Sequence, residues 1–280
     1  MRKIKKIITK ILVSAIGLVV LFLLSMTIYN HIMLTKEDKL IKPNGTFVTV
    51  DGYKMHVYTD GPKENRPTIL IMSAYGTAAP VYDYKVLYSK LSSEYHIVVV
   101  EKFGYGYSGI SGLTRDVGTI VKEYREALKL SGENGPSVLM PHSMSGLEAL
   151  YWAQQYPNEV SAIVGLDMSV PEYYRYNGNN PFTNFFGSPQ FLKALVFMGL
   201  DRIPGTGLVS DRGLTKAELA QNQYLTYKML LNKDVLAESD AVESNAQTVQ
   251  KGGMVILSIC KRSSNRSMDC SHTHFIRSKG

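Results

Sequence analysis

The segment Ser137–Ala149 reads Ser-Val-Leu-Met-Pro-His-Ser-Met-Ser-Gly-Leu-Glu-Ala. Its apolar run, Val138 to Met140, is typical of a buried strand, and from Gly146 onward apolar residues at helical spacing predict a helix. Ser143 lies between the two, with the small residues Ser145 and Gly146 shortly after it. A strand, a sharp turn and a helix in this order place the Ser143 hydroxyl above the edge of a sheet, at the N-terminus of a helix.

A serine in this position suits acyl-transfer chemistry. The N-terminus of a helix offers backbone N–H groups and the positive end of the helix dipole, which stabilise a developing oxyanion. The segment resembles the Gly-x-Ser-x-Gly nucleophile elbow of the α/β-hydrolase superfamily, with His142 and Met144 at the variable positions. Pro141 and Ser145 replace the outer glycines of that motif. A serine-rich helix N-cap is the alternative interpretation.

A second segment, residues 101–109, resembles another motif of the same superfamily. It reads Glu-Lys-Phe-Gly-Tyr-Gly-Tyr-Ser-Gly and is similar to the superfamily's Asp-x-x-Gly-x-Gly-x-Ser loop, with Glu101 in place of the aspartate. It is not a dinucleotide-binding fingerprint, because the third glycine and the downstream acid are missing. The two resemblances together imply a doubly wound, mostly parallel sheet with a helical cap.

The hydrophobic pattern independently predicts such a sheet, because short apolar runs separated by helices are typical of strands covered on both faces. The runs are Thr68–Met72, Ile97–Val100, Val138–Met140, Val160–Leu166 and Met254–Ile259. Helices are expected over Val81–Leu91 and Thr119–Leu130. Thr46–Val50 and Lys54–Thr59 alternate apolar and polar residues around Asp51-Gly52, which predicts a hairpin.

The N-terminal region predicts a membrane anchor. Residues 11–29 carry no charge, which is close to the length of about 20 residues that spans a bilayer. A cleaved signal peptide is the alternative, but its apolar region is usually shorter and no small-residue cleavage pattern follows. Five cations precede the apolar stretch, at Arg2, Lys3, Lys5, Lys6 and Lys10. We therefore expect a single-pass protein of the cell membrane, with a cytoplasmic N-terminus and an extracytoplasmic hydrolase domain.

Composition limits the class of partner. The formal net charge of +7 over 280 residues comes from the two ends of the chain, and the middle is weakly negative. No nucleic-acid partner is therefore expected. Two cysteines, Cys260 and Cys270, exclude a disulfide framework and leave a single bridge open.

The predicted organisation has five parts. They are the basic tip and anchor at 1–34, a linker at 35–45, the core at 46–170 and 253–260, a helical cap at 171–252, and an irregular basic tail at 261–280. The cap region is rich in aromatic residues, among them Phe182, Phe185 and Phe186, so it is interpreted as lining an apolar pocket, with simple packing as the alternative. The tail holds neither a further apolar run nor a periodic helix. The last strand and helix of the fold are therefore expected to be missing, through truncation or a frameshift.

The resemblance implies roles for specific residues. The oxyanion hole would combine the N–H of Met144 with one from the loop after the third strand, where Tyr75 is the candidate. Asp167, at the end of the sixth strand, is the candidate acid, and Asp269 is the other position. A serine nucleophile also needs a base, which stays unassigned because His272 and His274 lie beyond the last predicted strand. No metal or organic cofactor is implied.

The expected function is that of a membrane-anchored serine hydrolase that acts on a carboxylic ester or lipid-like small molecule through Ser143. The alternative is a catalytically impaired or truncated α/β-hydrolase-like binding domain without a general-base histidine. A third interpretation keeps the fold but changes the reaction to peptidase, epoxide or haloperoxidase-type chemistry. The serine argues against the epoxide route, which needs a carboxylate nucleophile.

Overall fold

A computed structural model of the chain describes residues 2–177, 189–203, 205, 209, 213–253, 256–262 and 268–275. The strands are β1 (Thr46–Val50), β2 (Tyr53–Asp60), β3 (Thr68–Met72), β4 (His96–Glu101), β5 (Ser137–Pro141), β6 (Val160–Ile163), β7 (Ile256–Arg262) and β8 (Met268–Phe275). The α-helices are α1 (Arg2–Asp38), α2 (Pro80–Asp83), α3 (Lys85–Leu91), α4 (Val117–Leu130), α5 (Ser145–Gln155), α6 (Pro171–Asn177), α7 (Pro189–Phe197), α8 (Lys216–Met229) and α9 (Lys233–Lys251). Short 3₁₀ helices lie at Pro157–Glu159 and Leu200–Arg202.

The first six strands form one sheet in the order β1-β2-β4-β3-β5-β6. β1 pairs antiparallel with β2, and β2 pairs antiparallel with β4. From β4 to β6 every pairing is parallel. The order places β3 between β4 and β5, so the chain winds in both directions from the centre of the sheet. The predicted doubly wound, mostly parallel sheet is confirmed.

The two faces of the sheet pack against different helices. Ile69 and Ile71 of β3 share an apolar cluster with Tyr88 of α3. Leu70 and Met72, which point the other way, share a cluster with residues of α4 and α5. Side chains alternate between faces along a strand, so a strand covered on both faces must be apolar at every position. This explains the continuous apolar runs.

Helix α1 is longer than the predicted span and extends it in both directions. Among the described residues it is the one helix long and apolar enough to cross a membrane by length and composition. Most of its apolar side chains are about half to two-thirds exposed, and Leu18 is 67 % exposed. The helix continues through residues 35–38, where the sequence predicted a linker. Its C-terminal end packs on α7 and α8, which explains the extension.

The region predicted as a cap contains α6 to α9, and Phe182, Phe185 and Phe186 lie outside the described residues. Helix α9 is bound to the core. The buried Asp234 carboxylate accepts hydrogen bonds from the N–H groups of Ser111 (2.7 Å) and Gly112 (2.6 Å). Asn245 accepts from the Val117 N–H (2.8 Å) and donates to the Arg115 carbonyl (3.0 Å). These bonds fix α9 against the loop that precedes α4.

The C-terminal strands differ from the expectation. The run Met254–Ile259 was predicted to continue the main sheet, and residues 261–280 to be irregular. Instead β7 and β8 pair with each other in a separate two-stranded antiparallel sheet, while residues 254 and 255 lie outside the described residues. Pairing between two neighbouring segments satisfies their backbone groups locally. It therefore does not require the edge of the main sheet.

A buried ion pair between the loop before α4 and α4 itself should contribute strongly to stability. Arg115 donates two hydrogen bonds to the Glu123 carboxylate (2.9 and 2.8 Å), and both side chains are almost fully buried. Arg115→Ala leaves the Glu123 charge buried and unpaired, so we expect the free energy of unfolding of the full chain in detergent to fall by about 3–5 kcal/mol. Lys122→Ala is the matched control, because its ion pair with Asp51 is solvent-exposed, and it should change little. Urea denaturation measures both variants, and equal losses would contradict the prediction.

Candidate active site

Ser143 lies in a sharp turn between β5 and α5, with a backbone φ of 51°. This left-handed conformation costs a residue other than glycine about 1–2 kcal/mol. Three hydrogen bonds hold it. The Ser143 N–H donates to the Leu166 carbonyl (3.3 Å), and its carbonyl accepts from the N–H groups of Gly146 (3.0 Å) and Ser169 (2.8 Å). The segment after β6 therefore fixes the turn.

The two departures from the glycine motif each have a structural explanation. The buried Ser145 hydroxyl lies 2.9 Å from the carbonyls of Met72 and His142 and accepts a bond from the His142 N–H (2.9 Å). The Pro141 carbonyl accepts from the Leu166 N–H (2.8 Å), and the ladder to β3 resumes with the His142 N–H, which donates to Met72 (3.0 Å). The turn therefore needs no N–H at residue 141.

Gly146 makes the closest backbone approach in this region. A Cβ atom at residue 146 would lie 2.2 Å from the carbonyl oxygen of Ser169 and 3.1 Å from the Met168 side chain. The nearest neighbour of Gly146 is the segment after β6. Glycine is therefore needed because that segment crosses directly over the first turn of α5.

The two predicted oxyanion donors lie on neighbouring elements. Met144 caps the N-terminus of α5, and Tyr75 lies in the loop after β3. Both side chains are buried in one apolar cluster, with Leu147 of α5 and Val235 of α9. On either side of Tyr75, the Ala74 N–H donates to the Tyr84 hydroxyl (3.0 Å) and the Gly76 N–H to the Tyr105 hydroxyl (3.2 Å). Tyrosine hydroxyls thus position the backbone of the Tyr75 loop.

Four buried polar residues form a network that the sequence analysis missed, which we call the Lys102 cluster. Its members are Lys102, Tyr105, Glu148 and Glu238. The Lys102 ammonium donates to Glu148 (2.8 Å) and Glu238 (2.6 Å), and the Tyr105 hydroxyl donates to Glu238 (2.9 Å). The cluster therefore links the 101–109 loop, α5 and α9. One residue in the sequence pointed to this cluster: Glu148 is a carboxylate at an apolar position of a short helix, where it needs a buried partner.

The Lys102 cluster holds two carboxylates for one ammonium. Burial, which disfavours the charged form, raises the pKa of Glu148 to about 7, and the Glu238 charge acts in the same direction, while Lys102 opposes both. The two glutamates raise the pKa of Lys102 against the effect of its own burial. Lys102 therefore stays charged, and Glu148 is the group that takes up a proton near neutral pH.

The buried side chain of Glu101 stabilises the 101–109 loop. Its fully buried carboxylate accepts hydrogen bonds from the N–H groups of Val81 (3.2 Å) and Tyr107 (2.7 Å), and it lies 3.0 Å from His56 Nδ1. At Gly106, whose φ is 52°, a Cβ atom would lie 2.0 Å from that carboxylate. The glutamate thus occupies the interior of its own loop and ties it to α2 and β2.

Three of the histidines have other partners. His56 contacts Glu101, His96 Nε2 lies 2.9 Å from Glu133, and His142 Nδ1 lies 2.8 Å from the Tyr84 hydroxyl. Burial lowers the pKa of His142, and Asp167 partly offsets this. His31 lies on α1, far along the chain from the turn. In the part of the chain that the structure describes, no histidine is hydrogen-bonded to the Ser143 hydroxyl.

The predicted acid, Asp167, has no histidine partner among the side chains that the structure describes. Asp167 follows β6, close to the turn, and its side chain is exposed, with a backbone φ of 48°. Among the described residues it forms no ion pair or hydrogen bond with a histidine. Asp269, His272 and His274 lie on β8, whose side chains are outside the description. Among the residues whose side chains the structure describes, no acid–base pair lies at Ser143, and the roles of Met144 and Tyr75 as oxyanion donors stay predictions.

Substitution of Gly146 tests the close approach at the turn. We expect Gly146→Ala to displace Ser169 and the Ser143 backbone, and to lower the free energy of unfolding by about 1–3 kcal/mol, the usual cost of overpacking. Gly109→Ala is the matched control, since its nearest neighbour would lie 3.4 Å away. Chemical denaturation measures both variants. A Gly146→Ala variant as stable as Gly109→Ala would contradict the proposed crowding.

The Lys102 cluster predicts a pH dependence of stability. The pKa of Glu148 is raised from 4.5 to about 7 by folding, so its favourable contribution is complete below pH 4.5 and is lost as pH rises through about 7. Glu238→Gln removes the neighbouring charge that raises this pKa. We expect the variant to lose less stability between pH 6 and 8 than the wild type, as measured by urea midpoints. Glu126→Gln on α4 is the control, and a parallel response of all three proteins would refute the assignment.

Sequence comparison finds two relatives in Bacillus subtilis strain 168. The chain is 47 % identical to the uncharacterized protein YbdG over 174 residues, which cover 62 % of the chain and 53 % of YbdG. It is 28 % identical to the uncharacterized protein YqjL over 123 residues, covering 44 % of the chain and 47 % of YqjL. The chain thus spans about half the length of the curated relatives it matches. No protein-family model matches the chain.

Solved structures resemble the chain more extensively. A putative lipase, lip1, from Acinetobacter baumannii AYE aligns with a TM-score of 0.52 and 18 % identity, over 80 % of this chain and 75 % of that one. The haloalkane dehalogenase DbeA-M1 loop variant from Bradyrhizobium elkanii aligns with a TM-score of 0.55 and 16 % identity, over 74 % of both chains. Epoxide hydrolase A from Mycobacterium thermoresistibile aligns with a TM-score of 0.53 and 16 % identity, over 75 % of this chain and 78 % of that one. Together with the strand order and the turn at Ser143, these similarities show that the protein has the α/β-hydrolase fold.

Proposed function

We propose that the protein is a membrane-anchored serine hydrolase that acts on a carboxylic ester or lipid-like small molecule. The observation that carries the proposal is the backbone of Ser143, held at a φ of 51° between a parallel strand and the N-terminus of α5. Strained backbone conformations of this kind cluster at functional sites, because the surrounding structure must stabilise them. Here three backbone hydrogen bonds and the requirement for Gly146 do so.

The proposed reaction begins with attack by the Ser143 oxygen on the carbonyl carbon of the ester, as the hydroxyl proton passes to a base. The tetrahedral oxyanion would be stabilised by the N–H groups of Met144 and Tyr75 and by the N-terminus of α5. Collapse of this intermediate expels the alcohol and leaves an acyl group on Ser143. Water then hydrolyses the acyl-enzyme. The base for both steps remains unassigned, and Asp167 is the candidate acid.

Membrane anchoring by residues 11–29 rests on α1. The helix is uncharged over this stretch, its apolar side chains are exposed, and five cations precede it. Such a helix satisfies its own backbone hydrogen bonds, as a bilayer requires. The preceding cations favour a cytoplasmic N-terminus, which would place the hydrolase fold outside the cell membrane.

One observation favours a second candidate, a catalytically impaired binding domain. His56, His96 and His142 are bound to other groups, and among the described side chains Asp167 is exposed without a histidine partner. A serine at an oxyanion site without its base retains some catalysis but loses several orders of magnitude in rate. Ester turnover by the purified chain at a rate ordinary for an esterase would exclude this candidate.

A fluorophosphonate probe tests the nucleophile directly. We expect the full chain to be labelled at Ser143, because the probe requires an activated serine beside an oxyanion site. Ser143→Ala should abolish labelling. Ser161→Ala is the control, because Ser161 is an exposed serine on β6, and it should be labelled like the wild type. Equal labelling of Ser143→Ala and wild type would reject Ser143 as the nucleophile, and a folded wild type without label would favour the binding domain.

A further inference from the structure

The C-terminal end of α1 is clamped to the cap region by buried polar contacts. Arg202, in the 3₁₀ helix after α7, donates two hydrogen bonds to the Glu37 carboxylate (2.8 and 2.7 Å) and one to the Asn30 side-chain oxygen (2.6 Å). Its guanidinium also lies 4.0 Å from the ring centroid of Tyr227 on α8. Asn30 and Glu37 are both buried, unlike the apolar residues earlier in α1. Helix α1 therefore has a fixed position relative to α7 and α8.

The contact with α7 lies at a definite height along α1. The Asn30 amide donates to the carbonyls of Val196 and Phe197, each at 3.2 Å. Gly199, whose φ is 75°, lies so close that a Cβ atom would be 2.7 Å from Asn30 Cβ and 3.3 Å from the Met26 carbonyl oxygen. The C-terminal end of α7 therefore packs directly on the part of α1 around residues 26–30.

That height coincides with the expected boundary of the hydrocarbon. A helix rises 1.5 Å per residue, so about 20 residues cross a hydrocarbon core of about 30 Å. Counted from Ile11, the first residue after the N-terminal cations, such a span ends at Asn30. The charged residues resume at Lys36. The end of α7 is thus level with the surface where acyl chains meet lipid head groups.

The side chains of α7 suit this surface. Phe197 is 63 % exposed and Phe191 60 %, and Ile203 beyond the helix is 41 % exposed. Tyr29 of α1, next in the chain to the Asn30 that binds the end of α7, is 50 % exposed. Lys193, on α7, is also exposed. Exposed aromatic residues and a lysine are typical of a membrane interface, where rings enter the acyl boundary and ammonium groups reach the head groups.

We propose that α7 is a second membrane contact, with Phe197, Phe191 and Ile203 inserted into the boundary region of the leaflet from which α1 emerges. The occupant of this apolar surface is lipid, because the surface is continuous with the exposed apolar side chains of α1. The inference rests on the proposed insertion of α1. Its consequence is that the cap region is held against the bilayer in one orientation, rather than swinging on a linker.

Tryptophan scanning in vesicles tests the contact. The full chain would be reconstituted into phosphatidylcholine vesicles with and without brominated acyl chains, which quench tryptophan on contact. Trp152 is 2 % exposed and provides a constant background. Phe22→Trp, in the middle of α1, reports insertion of the anchor. Phe47→Trp, on the exposed face of β1, is the control for a water-facing ring. Phe197→Trp reports the proposed contact.

We expect strong quenching of Phe22→Trp, none of Phe47→Trp, and quenching of Phe197→Trp on the order of half that of Phe22→Trp or more, as for a ring at the acyl boundary. Quenched Phe22→Trp with unquenched Phe197→Trp would overturn the α7 contact and leave the anchor intact. Unquenched Phe22→Trp would overturn the anchor itself, and the contact with it. Phe197→Trp emission that is shielded from aqueous iodide but not quenched by brominated lipid would show a protein surface on α7, such as a second copy, and would also overturn the proposal.

Discussion

The rest of this structure depends on the strained turn at Ser143. A left-handed backbone at a serine persists only when its surroundings overdetermine it. Two parallel strands supply the restraint. β5 ends directly before the turn, and the segment after β6 crosses over the first turn of α5. This segment forms backbone hydrogen bonds with Ser143. It also lies so close to residue 146 that only glycine fits there. The sheet order matters for function because it places these segments side by side.

Support for the proposed oxyanion site extends beyond the turn. The loop that carries Tyr75 is held by tyrosine hydroxyls, and one of these, Tyr105, is bound to Glu238 of α9. Glu238 in turn binds Lys102 in the neighbouring loop. Helix α9 is itself fixed to the core by Asp234 and Asn245. The backbone donors proposed for catalysis thus depend on the last helix of the predicted cap region.

Local features of this fold are predictable from the sequence, whereas contacts between distant positions are not. Ser143, the strand before it and the helix after it are readable because periodicity and small residues act over a few positions. The pair of Lys102 and Glu238 is 136 positions apart, and that of Asn30 and Val196 is 166 positions apart. No pattern in a single sequence links such residues. The hairpin of β7 and β8 was missed for a related reason, since its alternating polar residues, including His272 and His274, lack the apolar run that marks a buried strand.

The central claim is that Ser143 forms a covalent acyl intermediate. Rapid mixing of the full chain with p-nitrophenyl acetate, acid quenching and peptide mapping by mass spectrometry tests it most directly. The account predicts an acetyl group on the peptide that contains Ser143, formed at the rate at which p-nitrophenol is released and absent from Ser143→Ala. Release of p-nitrophenol without acylation of that peptide, or acylation that persists in Ser143→Ala, would contradict it.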